Sequence, residues 1–483
     1  MEASMGRPPI DRRPNEMLAH WLTRADMSNV EFARKVTARA VASGERNINP
    51  DESRVRRWLA GETPRAPVPA LITDIISERL GLPLTCADLG LPGPRRPASV
   101  DSPDLPWQSG STIDAIAHLT RSEIMLPHTR HSAEAAHVHR AERLLSPLQQ
   151  WVTSKPSPLA ERPTDHALSG RVGMRQVEDI RAITAMFRDA DNRHGGALSR
   201  TAVIAQMSDA NAMLDSCSYT EVTGRALFSA VADLGSVAGW MSFDAGMHKS
   251  AQRLFITALH AAAEGGDRAV GAHILQCMAR QMSHLDHYED ALDLVALAQY
   301  GARRQISPAT SSMLASLEAR FHAILGNLDE SERAAGQAEE IFDRINPAEE
   351  PVHMAFFDAA ELSATVGVAH QIAANKSQGT HRTRRAEKSL SLMGHALSLR
   401  PEHRVRSKAF DHLGLARTHL AIGEVDGAQE ETDTALELFG AISSKRVADR
   451  LIELHDEAEP FVSNSAIADM RSRIEHAVSG SAA

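Results

Sequence analysis

Aromatic residues are scarce in this chain, at 4% of its 483 positions, and alternating β-branched runs are missing. Both are what a sheet uses to pack, so a β-rich domain is excluded in favour of helix. Only three cysteines occur, Cys86, Cys217 and Cys277, and none has a paired spacing. That excludes a disulfide framework or a zinc ribbon and suits a reducing cytoplasm. No apolar run approaches the roughly 18–20 residues that cross a bilayer. The charges of the N-terminal MEASMGRPPIDRRPNE are followed by no hydrophobic segment, so neither a membrane partner nor a secretory leader is expected. Glycine-rich phosphate loops, HExxH and GxSxG are also missing, so we expect no enzyme, no cofactor and no metal. His128, His131, His137 and His139 cluster, but on a stretch that reads as a solvated helix without carboxylate or cysteine co-ligands. Gly195 and Gly196 read as a helix end and turn.

What is present is helical. Ala, Leu, Arg and Glu recur at helical spacing, and the length suggests two to four domains. The net charge of −10 is unevenly spread. Residues 1–99 carry 15 Lys and Arg against 12 Asp and Glu, and the remainder carries 37 against 50. A mildly basic head on an acidic body is the asymmetry expected if only the head meets phosphates.

Composition sets the boundaries. Residues 1–13 read as a flexible N-terminus and 14–90 as the head. The five prolines of Leu91–Ser111 deny that stretch helix continuation and mark a linker. Residues 112–216 read as a helical connector, softly broken at Ser154–Gly170, and 217–483 as a repeat domain.

Within the head, Asn15–Arg24 reads as a first helix and Ser28 caps a second carrying Val30, Phe32, Ala33 and Val36. Asp51 caps a third, ESRVRRWLA, closed by Gly61. A fourth follows over Ala70–Leu80, and TCADLGL suggests a short fifth. With Val55, Trp58 and Leu59 on the buried face of the third helix, Ser53, Arg56 and Arg57 point outward, with Arg54 at the margin and Arg65 just beyond the helix. Arginine can fork onto guanine edges, and arginine or serine can hold phosphates, so duplex DNA is the partner this face suits. A solvated arginine face is the plainer alternative.

The repeat domain shows its period directly. Gly239, Gly246, Ala251, Phe255 and Ala258 stand at tetratricopeptide separations, with small residues where paired helices approach and Phe255 as a wedge. Ala279, Tyr288, Ala291 and Ala298 follow about forty residues on, then Ala319, Gly326, Leu328 and Ala338, and later Ala416, Gly423, Ala428 and Ala435. Met354–Leu399 fits a divergent pair between them. The expected fold is therefore all-α: a small helix-turn-helix head plus a tetratricopeptide-like α-solenoid.

Six positions before residues 246, 286, 326 and 423 stand Trp240, Arg280, Arg320 and Arg417. Equivalent positions of stacked repeats lie above one another, so these four predict one stripe on the concave wall, joined by His273 and Gln276 and by Asp233 and Ser236. A guanidinium ladder suits a carboxylate, a phosphate or an acidic peptide. The alternative is that each arginine pairs with an acidic residue of an adjacent helix.

The head resembles the lambda-repressor-like, or XRE, helix-turn-helix family, whose third helix also ends in an aromatic–x–x–Gly segment before a proline-containing turn. RPNEMLAHWL, RVRRWLAGETPRAP, VGMRQVEDIRAITAMFRDADNRHGGALSR and VTGRALFSAVADLGSVAGWMSFDAG together resemble an actinobacterial group with such a head on a tetratricopeptide body. That group includes negative regulators of Streptomyces differentiation and antibiotic production. The resemblance implies a cytoplasmic transcriptional regulator of development or secondary metabolism. Its body would bind a peptide, small effector or protein partner, and a homodimer is among the assemblies it would suit. The competing expectation is a protein-interaction scaffold that does not bind DNA. One departure stands out: about ten residues more than a compact turn needs separate Phe32-Ala33 from Asp51, which predicts an extended second helix.

Overall fold

A computed structural model describes residues 14–42, 48–65, 67–80, 84, 86, 88–91, 103–125, 138–158, 170–194, 199–442 and 444–481. The chain divides into two compact units, Met1–Ser99 and Val100–Ala483. Among the described residues every regular element is a helix, apart from an isolated bridge between Arg171 and Ser218.

In the first unit α1 spans Glu16–Arg24, α2 Asn29–Ala42, α3 Glu52–Leu59 and α4 Val68–Leu80. Each early helix starts where a side chain can take an orphan backbone donor. Asn15 accepts from the Leu18 N–H at 2.9 Å, Ser28 from Glu31 at 3.2 Å and Asp51 from Arg54 at 2.8 Å. Gly61, at φ +94°, makes the left-handed turn after α3. Leu18, Phe32, Val36, Val55, Trp58, Ile72 and Ile76 form the core, closed by Cys86, Leu89 and Leu91. Asn15 and Trp21 donate to the carbonyls of Gly90 and Asp88, tying that closing segment to α1. At 14 residues α2 has the extended length its sequence predicts. The short fifth helix expected over TCADLGL falls partly outside the described residues, and Asp88–Gly90 are turn residues.

The second unit opens with α5 (Ser109–Met125), α6 (Glu142–Thr153), α7 (Met174–His194) and α8 (Arg200–Ser216). Six helix pairs follow: α9 (Glu221–Asp244) with α10 (His248–Gly265), α11 (Arg268–His284) with α12 (Tyr288–Ala302), and α13 (Pro308–Leu325) with α14 (Leu328–Phe342). The others are α15 (Ala359–Asn375) with α16 (Gly379–Leu399), α17 (Val405–Ile422) with α18 (Val425–Phe439), and α19 (Lys445–Glu457) with α20 (Ser465–Ser481). The divergent pair expected within Met354–Leu399 is α15 and α16. The closing pair α19 and α20 has no counterpart in the repeat pattern read from sequence.

Close approach explains the small residues. A Cβ on Gly239 would lie 2.5 Å from the Phe255 ring, so glycine there lets α9 and α10 touch around the wedge. Trp151 of α6, fully buried, occupies the space that Gly271 and Gly301 leave on α11 and α12. The stretch read as linker enters this core at its C-terminal side: Leu105 is buried, and the Trp107 ring stacks on His260 with centroids 3.7 Å apart. The helices of the predicted connector share one hydrophobic core with the repeats. Among the described residues α9 is the helix long and apolar enough to cross a bilayer, but most of it is buried between its neighbours.

The pairs curve far enough for the last to meet the first. Arg406 of α17 donates to Asp191 of α7 at 2.8 Å and to Asp244 of α9 at 2.9 Å. Ser444 Oγ, at the start of α19, donates to the other oxygen of Asp244 at 2.9 Å. His284 of α11 sits 3.0 Å from Asp449 of α19. The concave groove expected from the repeats is therefore bridged by these contacts and narrowed to a central cavity.

Candidate functional site

Two surfaces carry the predicted residues. In the first unit α3 buries Val55 and Trp58 and half-buries Leu59, which turns Ser53, Arg56 and Arg57 to solvent, with Arg54 half-exposed and Arg65 exposed. Carboxylates share this face. Arg56 lies 2.5 Å from Glu52, and Glu62 lies 3.5 Å from Arg54 and 3.9 Å from Arg57. Exposed pairs of this kind contribute about 0–1 kcal/mol, so a phosphate can displace them at little cost. Arg65 has no acidic partner among the described residues.

In the second unit, register determines which side chains converge. Helices α9, α11, α13 and α17 each end at a residue with positive φ: Gly246 at +77°, Asp286 at +63°, Gly326 at +86° and Gly423 at +79°. Asp286 holds the left-handed conformation that glycine holds in the other three, as the repeat demands. Six residues before each of these caps, Trp240, Arg280, Arg320 and Arg417 all line one cavity of about 250 Å³. His273, Gln276 and Ser236 line it too, whereas Asp233 stands behind Arg188 as its ion-pair partner.

The three stripe arginines differ in what they face. Arg417 is held by Glu453 at 3.1 Å and by both oxygens of Glu457, all from α19. Burial alone would lower its pKa, but these carboxylates raise it. Its guanidinium is thus consumed internally, which corrects the expectation that it serves a ligand. Arg280 reaches Glu361 only at 3.4 Å, and its Nε and Nη2 are buried without a partner. Arg320 has no hydrogen-bond or ion-pair partner among the described residues. Burial, with Arg450 and Arg280 nearby, pushes it down to about 9.

His273 and Gln276 form the inner wall. The His273 ring faces His353 at 5.0 Å and Phe356 at 5.9 Å, and burial, then His353, lower its pKa well below the usual range. Gln276 Nε2 points to Cys277 Sγ at 3.0 Å, and its Oε1 has no partner. Burial pushes the Cys277 thiol up to about 12, which makes it a packing residue and a poor nucleophile.

Sequence reading missed most of the remaining lining. Arg400 and Arg404 flank the α16–α17 junction, Arg406 begins α17, and Arg446 and Arg450 stand one turn apart on the unrecognised α19. Arg446 lies over the rings of Trp240 at 4.6 Å, Phe243 at 4.9 Å and Phe410 at 5.1 Å. The i, i+4 arginines of α19 were the available signal; Arg450 pairs locally with Glu453, but the acidic and aromatic partners of Arg446 lie too far away in sequence to be paired from it.

Of the predicted histidine cluster, His128, His131 and His137 lie outside the described residues, as do Gly195 and Gly196. The His139 backbone is held by the Gln252 amide at 2.7 and 2.8 Å. Among the described residues no group of three or more potential ligands is arranged for a metal.

Residues 18–92 match the family described as SP15 N-terminal domain. No curated protein matches the chain.

Proposed function

We propose that the chain is a cytoplasmic, non-enzymatic transcriptional regulator whose helical head binds duplex DNA and whose body receives an anionic effector or partner. The observation that carries the DNA half is the face of α3. A short helix, capped by Asp51 and anchored by Trp58, presents Ser53, Arg56 and Arg57 to solvent beside Arg65. Exposed guanidinium groups on a rigid helix suit both phosphate contact and base-edge readout. The resemblance to actinobacterial regulators supports the same reading, and the body's cavity supplies a place for a signal to enter.

A second reading, a protein-interaction scaffold without DNA binding, is favoured by Glu52 and Glu62, which already stand beside Arg54, Arg56 and Arg57. Duplex binding by the full-length chain across a salt series separates the two. A linear fall of log K with log salt supports the regulator, since arginine–phosphate contacts release counterions. Absence of binding at low salt supports the scaffold.

A further inference from the structure

The cavity in the body holds more guanidinium than carboxylate charge. Nine arginines line it. Five are matched: Arg188 by Asp233, Arg400 by Glu361 and Asp411, Arg406 by Asp191 and Asp244, Arg417 by Glu453 and Glu457, and Arg450 by Glu453. Among the described residues, Arg280 and Arg446 form ion pairs only with members of those seven carboxylates, each at 3.4 Å from an acid that another arginine holds more closely. Arg320 and Arg404 make no ion pair among the described residues, Glu453 and Glu361 acting on them only from a distance, and Nε of each is buried without an acceptor. Nine cations against seven anions leave an excess of two positive charges around one cavity.

An unneutralised charge out of water is costly, and an anionic ligand in the cavity would offset that cost. The excess falls on Arg320 of α13 and Arg404 just before α17, beside Arg280 of α11 and Arg446 of α19, which only share their acids. Beside them, half-buried Phe356 and Phe410 and the apolar Val237 and Val368 line the same space. The geometry points to a small-molecule effector carrying about two negative charges on a flat apolar group. A phosphate monoester and a dicarboxylate both have that charge. An extended acidic peptide fits less well. The contacts of Arg406 and Ser444 with α9 bridge the groove and interrupt its length, and about 250 Å³ is a small-molecule volume. This inference rests on the reading of the body as the effector-binding part of the chain.

The test uses the full-length protein with four probes, phenyl phosphate, phthalate, benzoate and a hexaglutamate peptide, read by calorimetry and by thermal shift. Either dianion should bind saturably, at least tenfold more tightly than benzoate, and raise the Tm; which of them binds better identifies the anion type. Arg320→Gln should weaken that binding at least tenfold while raising the Tm of the ligand-free protein, since it removes an uncompensated charge. Arg320→Lys should keep the ligand-free Tm and still weaken binding, because the fork is lost. Benzoate binding as tightly as the dianions would overturn the inference. Hexaglutamate binding that depends on Arg280 and Arg320, with no dianion binding, would overturn it while leaving the effector reading of the body intact. No binding of any probe, with a lower ligand-free Tm in Arg320→Gln, would overturn both. DNA binding by the same preparations is scored separately and bears on the head alone.

Discussion

Arg406 donates to Asp244 at 2.9 Å across 162 positions of sequence, joining the fifth helix pair of the body to the first. The same guanidinium reaches Asp191 on α7 at 2.8 Å. Burial disfavours its charge, and the two carboxylates more than restore it, raising its pKa. The body is thereby tied across its groove, from the fifth pair back to the first.

Breaking this clasp should be expensive. Arg406→Ala leaves Asp191 and Asp244 buried without their main counterion, and a cost of about 3–5 kcal/mol is expected. Urea denaturation of the full chain measures it. Arg417→Ala should also destabilise, since Glu457 loses its partner and Glu453 keeps only Arg450, whereas Arg320→Gln should not. Equal losses at Arg320 and Arg417 would contradict the division between free and consumed arginines.

Acid should loosen the body before its carboxylates titrate. Burial lowers His260 to about 3, and burial, reinforced by neighbouring cations, lowers His248 and His370 to about 4. Unfolded histidine titrates near 6.5, so below that pH the unfolded chain binds more protons and stability falls with pH. Each such group contributes about 1.4 kcal/mol per pH unit between 6.5 and its folded value. His260 lies against Trp107, and neither of its ring nitrogens has a partner. His260→Phe should therefore keep the stack and flatten the fall of Tm from pH 7 to pH 5. An unchanged slope would show that His260 is not held neutral.

Effector affinity should depend on pH at both ends. Arg320, lowered to about 9 by burial and by Arg450, Arg280 and Arg417, with Glu453 opposing, loses its proton as pH rises through that value. An anion favours the charged form, so affinity for phenyl phosphate should fall above about pH 9. It should also fall below about pH 6, where a phosphate monoester becomes a monoanion. Calorimetry in buffers of differing ionisation enthalpy should show proton uptake on the alkaline side. A flat profile would exclude Arg320 as a contact.

On the DNA side, Arg56→Ala and Arg57→Ala should each weaken duplex binding by about 1–3 kcal/mol if they read bases. If they hold phosphates, the loss should be similar across sequences, and the salt slope should drop by about one per residue. Affinity and slope both unchanged in the double variant would remove α3 from the interface.

Local chemistry made much of this legible in the sequence alone. Asn15, Ser28 and Asp51 announce helix starts because their side chains take orphan N–H groups, and Val55 with Trp58 orients α3 by helical period. The stripe at 240, 280, 320 and 417 was readable for the same kind of reason. A helix ending in a left-handed residue at a constant offset must present its equivalent position to the same side in every repeat. The tertiary structure alone decided which of those arginines remain free. Arg417 is consumed because α19, outside the recognised register, brings Glu453 and Glu457 against it; Arg320 is left open because among the described residues no carboxylate comes within ion-pair distance. The bridge across the groove was equally hidden. Its polar contacts link residues more than 160 positions apart, and no local periodicity specifies which acid a buried arginine will meet.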